Sequence, residues 1–178
     1  MKSPNKEEIM KRIKEAGDPE NYETSWNKAG TFTVSKFKPN IIKGRKSKSK
    51  GSSFELKIRK DLENKGRIID KWTNNIDLKQ NKLISSKKIF NPFKKIMVPG
   101  AGFPDFISIK YISEGSYSVI GVEVKTNGML SKIEKQKCAW YLQNKIFSQI
   151  WIAKIGEKRG EIIYEDFKEK HGNKYNNL

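Results

Sequence analysis

The chain has 178 residues, with 37 Lys and Arg against 20 Asp and Glu, and a formal net charge of +17. That length suits one ordinary domain with a terminal extension, and the charge exceeds what solubility needs. A single cysteine, Cys138, and a single histidine, His171, exclude an internal disulfide, a Cys-based zinc cluster and any His-dependent triad outside the polar tail. A generally Lys-rich composition would explain the charge. A polyanionic partner explains it better, because clustered cations gain affinity by releasing counterions from phosphates. No apolar run approaches the ~20 residues of a membrane span. The start MKSPNKEEI has no signal-peptide core, so a soluble, intracellular (cytoplasmic) protein with no membrane contact is expected.

Ser3-Pro4 followed by NKEEIMKRIKEAGD predicts a short helix, with Ser3 as N-cap and Gly17 as stop. Residues 18–30 read as irregular, and Thr31 to Phe37 as a strand. KPNIIKGRKSKSKGSS then reads as a basic linker, with Lys43–Lys50 expected to be mobile without DNA and to order on binding, and with Lys43, Arg45, Lys46, Lys48 and Lys50 as candidate phosphate contacts. SSFELKIRKDLENKG predicts a helix capped by Ser52 or Ser53 and stopped by Gly66, with Phe54, Ile58 and Leu62 on one face and Glu55 at its edge. Arg67 to Trp72 reads as a strand, whereas residues 75–100 give no clear element.

Phe103 to Tyr111 and Tyr117 to Thr126 predict a β-hairpin closed by Ser113-Glu114-Gly115. Alternation puts Val119, Gly121, Glu123 and Lys125 on one face. A loop centred on Glu114 sets Asp105 opposite Glu123. Facing carboxylates repel, which a sequence shaped by stability alone avoids. A divalent cation reverses that sign, and oxygen-rich sites suit Mg²⁺ or Mn²⁺. Lys125 on the same face can orient an attacking water and stabilise charge on a phosphate. Ser131 to Asn144 predicts a helix, with Ser131 and Glu134 forming a capping box. Ser148 to Lys154 reads as a buried strand, Glu161 to Tyr164 as a further one, and the chain from Lys168 as a fraying tail.

In this order, KGSSFE at 50–55, GFPD at 102–105 and VEVK at 122–125 resemble the motifs of the PD-(D/E)XK nucleases, and within them most of all the archaeal Holliday-junction resolvases. The resemblance covers roughly residues 45–155. It implies a mixed central β-sheet flanked by helices, a restriction-endonuclease-like α/β core with a basic N-terminal extension. The divisions it suggests are an extension over 1–45, a nuclease core over 46–167 and a polar tail over 168–178. It implies catalytic roles for Glu55, Asp105, Glu123 and Lys125. Metal ligation would fall to Asp105, Glu123, the Val124 carbonyl and Glu55, with Mg²⁺ as cofactor and Mn²⁺ as substitute. It further implies a homodimer acting on duplex or branched DNA. RNA stays open, because such hydrolysis needs no 2′-hydroxyl. Gln136 and Trp140 resemble the Gln-x-x-x-Tyr element of RecB-type exonucleases, with Trp in place of Tyr. The alternative to an enzyme is a non-catalytic nucleic-acid-binding protein of the same fold.

Overall fold

A computed structural model describes residues 5–30, 32–91, 95–100 and 102–175. The chain divides into two compact units, Met1–Ser52 and Ser53–Leu178. Among the described residues, no helix is long and apolar enough to cross a membrane.

In the first unit, α1 (Lys6–Ala16) is capped by Asn5, whose side chain accepts from the Glu8 N–H at 2.8 Å while Glu8 reaches back to the Asn5 N–H. The cap is therefore Asn5, a capping-box residue; the expected cap Ser3, with Pro4, lies outside the described residues. The stretch read as irregular contains a strand, β1 (Tyr22–Trp26), paired antiparallel with β2 (Phe32–Phe37). Tyr22 packs against Phe37 across this ribbon, with ring centroids 5.3 Å apart.

The expected mobile linker is helical. Helix α2 spans Lys38–Asn64 without a break, so Ser52 and Ser53 lie inside it and cap nothing. Phe54, Ile58 and Leu62 are buried on one face as their spacing requires. Gly66, at φ 73, stops the helix: its N–H donates to the Glu63 carbonyl at 2.9 Å, and the Arg67 N–H to Leu62 at 3.1 Å.

The second unit is α/β, built on a five-stranded mixed sheet. β3 (Ile68–Lys71), β8 (Phe106–Ser113), β9 (Ser116–Val124), β10 (Gln149–Ile155) and β11 (Ile162–Asp166) stand in the order β11-β10-β9-β8-β3. Only the β9–β10 pair is parallel, joined through α3 (Lys132–Gln143); the other three pairs are antiparallel. The C-terminal half of α2 covers one sheet face, setting Phe54, Ile58 and Leu62 against Ile69, Phe106, Ile120 and Val122. Helix α3 covers the other, where Cys138, Ala139 and Tyr141 join Phe147, Ile150 and Ile152. Burying apolar area on both faces of one sheet supplies the main stabilisation of this unit.

Between β3 and β8 run two short hairpins. β4 (Asn74–Asp77) pairs with β5 (Lys82–Ser85), and β6 (Lys88–Asn91) with β7 (Ile96–Pro99). The expected fraying tail carries regular structure among its described residues. Asp166 caps α4 (Phe167–His171), a 3₁₀ turn follows over Gly172–Lys174, and Phe167 is fully buried with Tyr175 packed on its ring.

Candidate active site

The β8–β9 ladder fixes the site. Its pairs run from Phe106↔Val122 to Tyr111↔Tyr117, the register that alternation requires. The shift between Tyr111 and Ser113 leaves Ile112 as a bulge, so the connection is a two-residue Glu114-Gly115 turn and not the expected three-residue loop. Strand β8 begins at Phe106, so Asp105 stands one step before the ladder. Its side chain continues the pairing there: Asp105 Oδ2 accepts the Val124 N–H at 2.8 Å. On β9, Gly121 leaves room for Pro104, the residue before Asp105, and for Phe147. A Cβ at that position would meet Pro104 Cγ at 2.8 Å and the Phe147 ring at 3.1 Å.

Glu123 is only 4% exposed, and its Oε2 is buried with no hydrogen-bond partner among the described residues. Burial pushes its carboxyl up to about 8, and the charge of Asp105 adds to the rise, with Lys125 opposing it. Asp105 is also raised, first by burial and then by the charge of Glu55, against the lowering effect of the Val124 N–H. A carboxylate this deep, beside a second one and with a bare oxygen, is an unfavourable arrangement for stability alone.

Lys125 lies between two acids. Its Nζ is 3.0 Å from Glu123 Oε1 and 2.7 Å from Glu134 Oε1. Burial draws the ammonium pKa down, but Glu134 and Glu123 outweigh it and hold the group above the ordinary lysine range. The Lys125 N–H donates to the Ala153 carbonyl at 2.9 Å, extending the parallel pairing past Val124 and fixing where the side chain leaves the backbone. Glu134 is held in turn by the expected capping box. Its Oε2 accepts the Ser131 N–H at 2.7 Å, and Ser131 Oγ accepts the Glu134 N–H at 3.3 Å.

Glu55 comes from α2, the layer on the opposite side of the sheet. It is close enough for its charge to act on Asp105, but its Oε2 pairs with Lys71 Nζ at 2.9 Å. The structure therefore groups Asp105, Glu123 and Lys125 and leaves Glu55 at the margin. Lys43, Arg45, Lys46, Lys48 and Lys50 are all exposed along α2. Gln136 is exposed, and Trp140 packs against the α3-side core.

Two residues of the site escaped sequence reasoning. The capping-box pattern accounts for Glu134 locally and conceals its reach to Lys125, nine positions away. Lys71 emerges as the cation facing Glu55 only once β3 pairs with β8, and nothing in its local sequence announces it.

No protein-family model, curated protein or solved structure matches this chain. Among the described residues, no three Asp, Glu, His or Cys side chains are gathered into a ready-made metal cage. The fit to a cation rests on the orphaned Glu123 Oε2 and the neighbouring Asp105. Hard oxygen donors of this kind suit Mg²⁺ or Mn²⁺ and offer nothing to a thiophilic metal.

Proposed function

We propose that this chain is a divalent-metal-dependent endonuclease of PD-(D/E)XK type with a restriction-endonuclease-like core, hydrolysing phosphodiester bonds in DNA. The observation that carries the reading is the buried, unpartnered Glu123 carboxylate oxygen, set beside Asp105 and Lys125 across one hairpin. Asp105, Glu123 and the Val124 carbonyl would hold Mg²⁺, with Glu55 at its outer edge. The bound ion would polarise a phosphate oxygen and make a nearby water more acidic.

Lys125 orients that water and offsets negative charge developing on the phosphate. Held charged by Glu123 and Glu134, it serves as a fixed cation and hydrogen-bond donor rather than as a free base. In the reaction, the water oxygen bonds to phosphorus and gives up a proton to solvent, the ester P–O bond breaks, and the departing oxygen takes up a proton from solvent. Lys43, Arg45, Lys46, Lys48 and Lys50 line an exposed helix suited to phosphates. Resemblance to the resolvases adds branched DNA as first substrate and a homodimer as working form.

One observation favours the non-catalytic alternative. Lys71 and Lys125 already pair with Glu55, Glu123 and Glu134, so much of the acidic charge is balanced without a metal. The two readings part on end-labelled single-stranded, duplex, flap and four-way-junction DNA incubated with Mg²⁺ or EDTA. The nuclease reading expects cleavage with Mg²⁺ alone. Binding to these DNAs with no cleavage in Mg²⁺ or Mn²⁺ would select the alternative.

A further inference from the structure

Among the described residues, the β6–β7 ribbon is a two-stranded hairpin outside the central sheet. Such ribbons are marginal without something to cover them. Here Ile89, Phe90, Ile96 and Met97 are 59%, 56%, 51% and 54% exposed. The register pairs Phe90 with Met97 and Ile89 with Val98, so neighbouring pairs present apolar groups on opposite faces of the ribbon. The surrounding chain is wholly cationic: residues 78–104 contain six lysines and no Asp or Glu. Lys87, Lys88 and Lys95 are exposed at and beside the strand ends.

These two properties select the occupant by charge complementarity. An apolar protein surface would cover Phe90 and Met97 but leave the lysines facing one another. A fully paired duplex would satisfy the lysines but keep its base faces stacked inside. Unpaired bases on a phosphate backbone supply both an apolar π-face and the anions. We propose that the β6–β7 ribbon is a nucleic-acid contact that takes unstacked bases of a single-stranded segment, with Phe90 and Met97 as the stacking platform and Lys87, Lys88 and Lys95 on the phosphates. Five residues separate Pro99 from Asp105, a chain reach of at most roughly 22 Å. The inference rests on the nucleic-acid half of the function proposed above and not on hydrolysis.

The test is equilibrium binding of the full chain in EDTA to a fluorescent single strand and to a blunt duplex of equal length. Phe90→Ser with Met97→Ser alters two exposed positions and leaves the buried core untouched. This variant should lose about tenfold in affinity for the strand and less than about twofold for the duplex. A 2-aminopurine base in the strand should be quenched by the wild type and less so by the variant. Equal losses on both DNAs, no loss on the strand, or no binding of either form would overturn the proposal. So would a variant that binds strand normally but sediments as a smaller species, since the ribbon would then serve a second copy of this chain. A protein that discriminates in this way yet cleaves nothing in Mg²⁺ supports the ribbon assignment and sinks the nuclease.

Discussion

At Glu123 the fold holds a carboxyl whose neutral form is favoured by burial and by Asp105, with a pKa of about 8 against an ordinary 4.5. Between those values the folded chain keeps a proton that the unfolded chain has released. The stability tied to this group is complete below about pH 4.5 and is lost as pH rises through about 8. In EDTA, the wild-type Tm should therefore fall relative to that of Glu123→Gln across this range. At its upper end, added Mg²⁺ should raise the Tm of the wild type and not of the variant. A parallel pH dependence in the two proteins would show that Glu123 is not the group responsible. Glu134 acts on the site through Lys125. Glu134→Gln should slow cleavage by about ten- to a hundredfold and move the alkaline limb of the rate profile to lower pH, because the ammonium loses an anionic partner. A loss of rate with an unmoved profile would make Glu134 a helix cap only. At Gly121, a methyl group would press on Pro104 and Phe147. Gly121→Ala should destabilise the fold by ~1–3 kcal/mol in urea unfolding and weaken any metal-dependent activity through displaced Asp105.

Among the elements, the hairpin bearing Asp105 and Glu123 was the most legible. Period-two alternation and Gly115 at φ 71 specify a register, and slipping it by one residue would send Glu123 into the α2-side core. The β9–α3–β10 crossover follows equally from a buried strand, a capped helix and a second buried strand. The two small hairpins between β3 and β8 were not legible. Their strands have four residues each, and among the described residues the positive-φ positions at their turns are Asn81 and Lys95, the latter a residue type that gives no turn signal. The N-terminal half of α2 does not read as helix because Gly44, Gly51, Ser47, Ser49, Ser52 and Ser53 depress helix propensity, whereas the C-terminal half, anchored by its buried face, propagates the helix backward through them. Helicity there has a direct check. A Cβ at Gly44 or Gly51 meets nothing within 4 Å, so Gly44→Ala with Gly51→Ala should add ~0.5–1 kcal/mol per site to helix stability and slow amide exchange over residues 38–53. Unchanged, fast exchange in both proteins would return the segment to a mobile linker. Glu134 and Lys71 mark the general limit: local pattern assigns a residue to an element, but only pairing between distant elements shows what its side chain faces.

For the molecule as a whole, the net charge of +17 predicts binding dominated by phosphate contacts. With six or more phosphates neutralised, affinity for DNA should fall by roughly three orders of magnitude between about 50 and 200 mM salt, and a nearly flat dependence would count against nucleic acid as partner. Replacing Lys43, Arg45, Lys46, Lys48 and Lys50 by Ser should weaken binding and reduce that salt slope without unfolding either unit, since all five are exposed. The most direct measurement is single-turnover cleavage of labelled DNA in Mg²⁺ by the wild type, Asp105→Asn and Glu123→Gln, with binding measured alongside. The wild type should cleave in a way that EDTA stops, neither variant should cleave, and both should keep nearly unchanged DNA affinity. Wild-type turnover retained by either variant would remove that carboxylate from the site, and a wild type that binds DNA and never cuts it would rule out a nuclease.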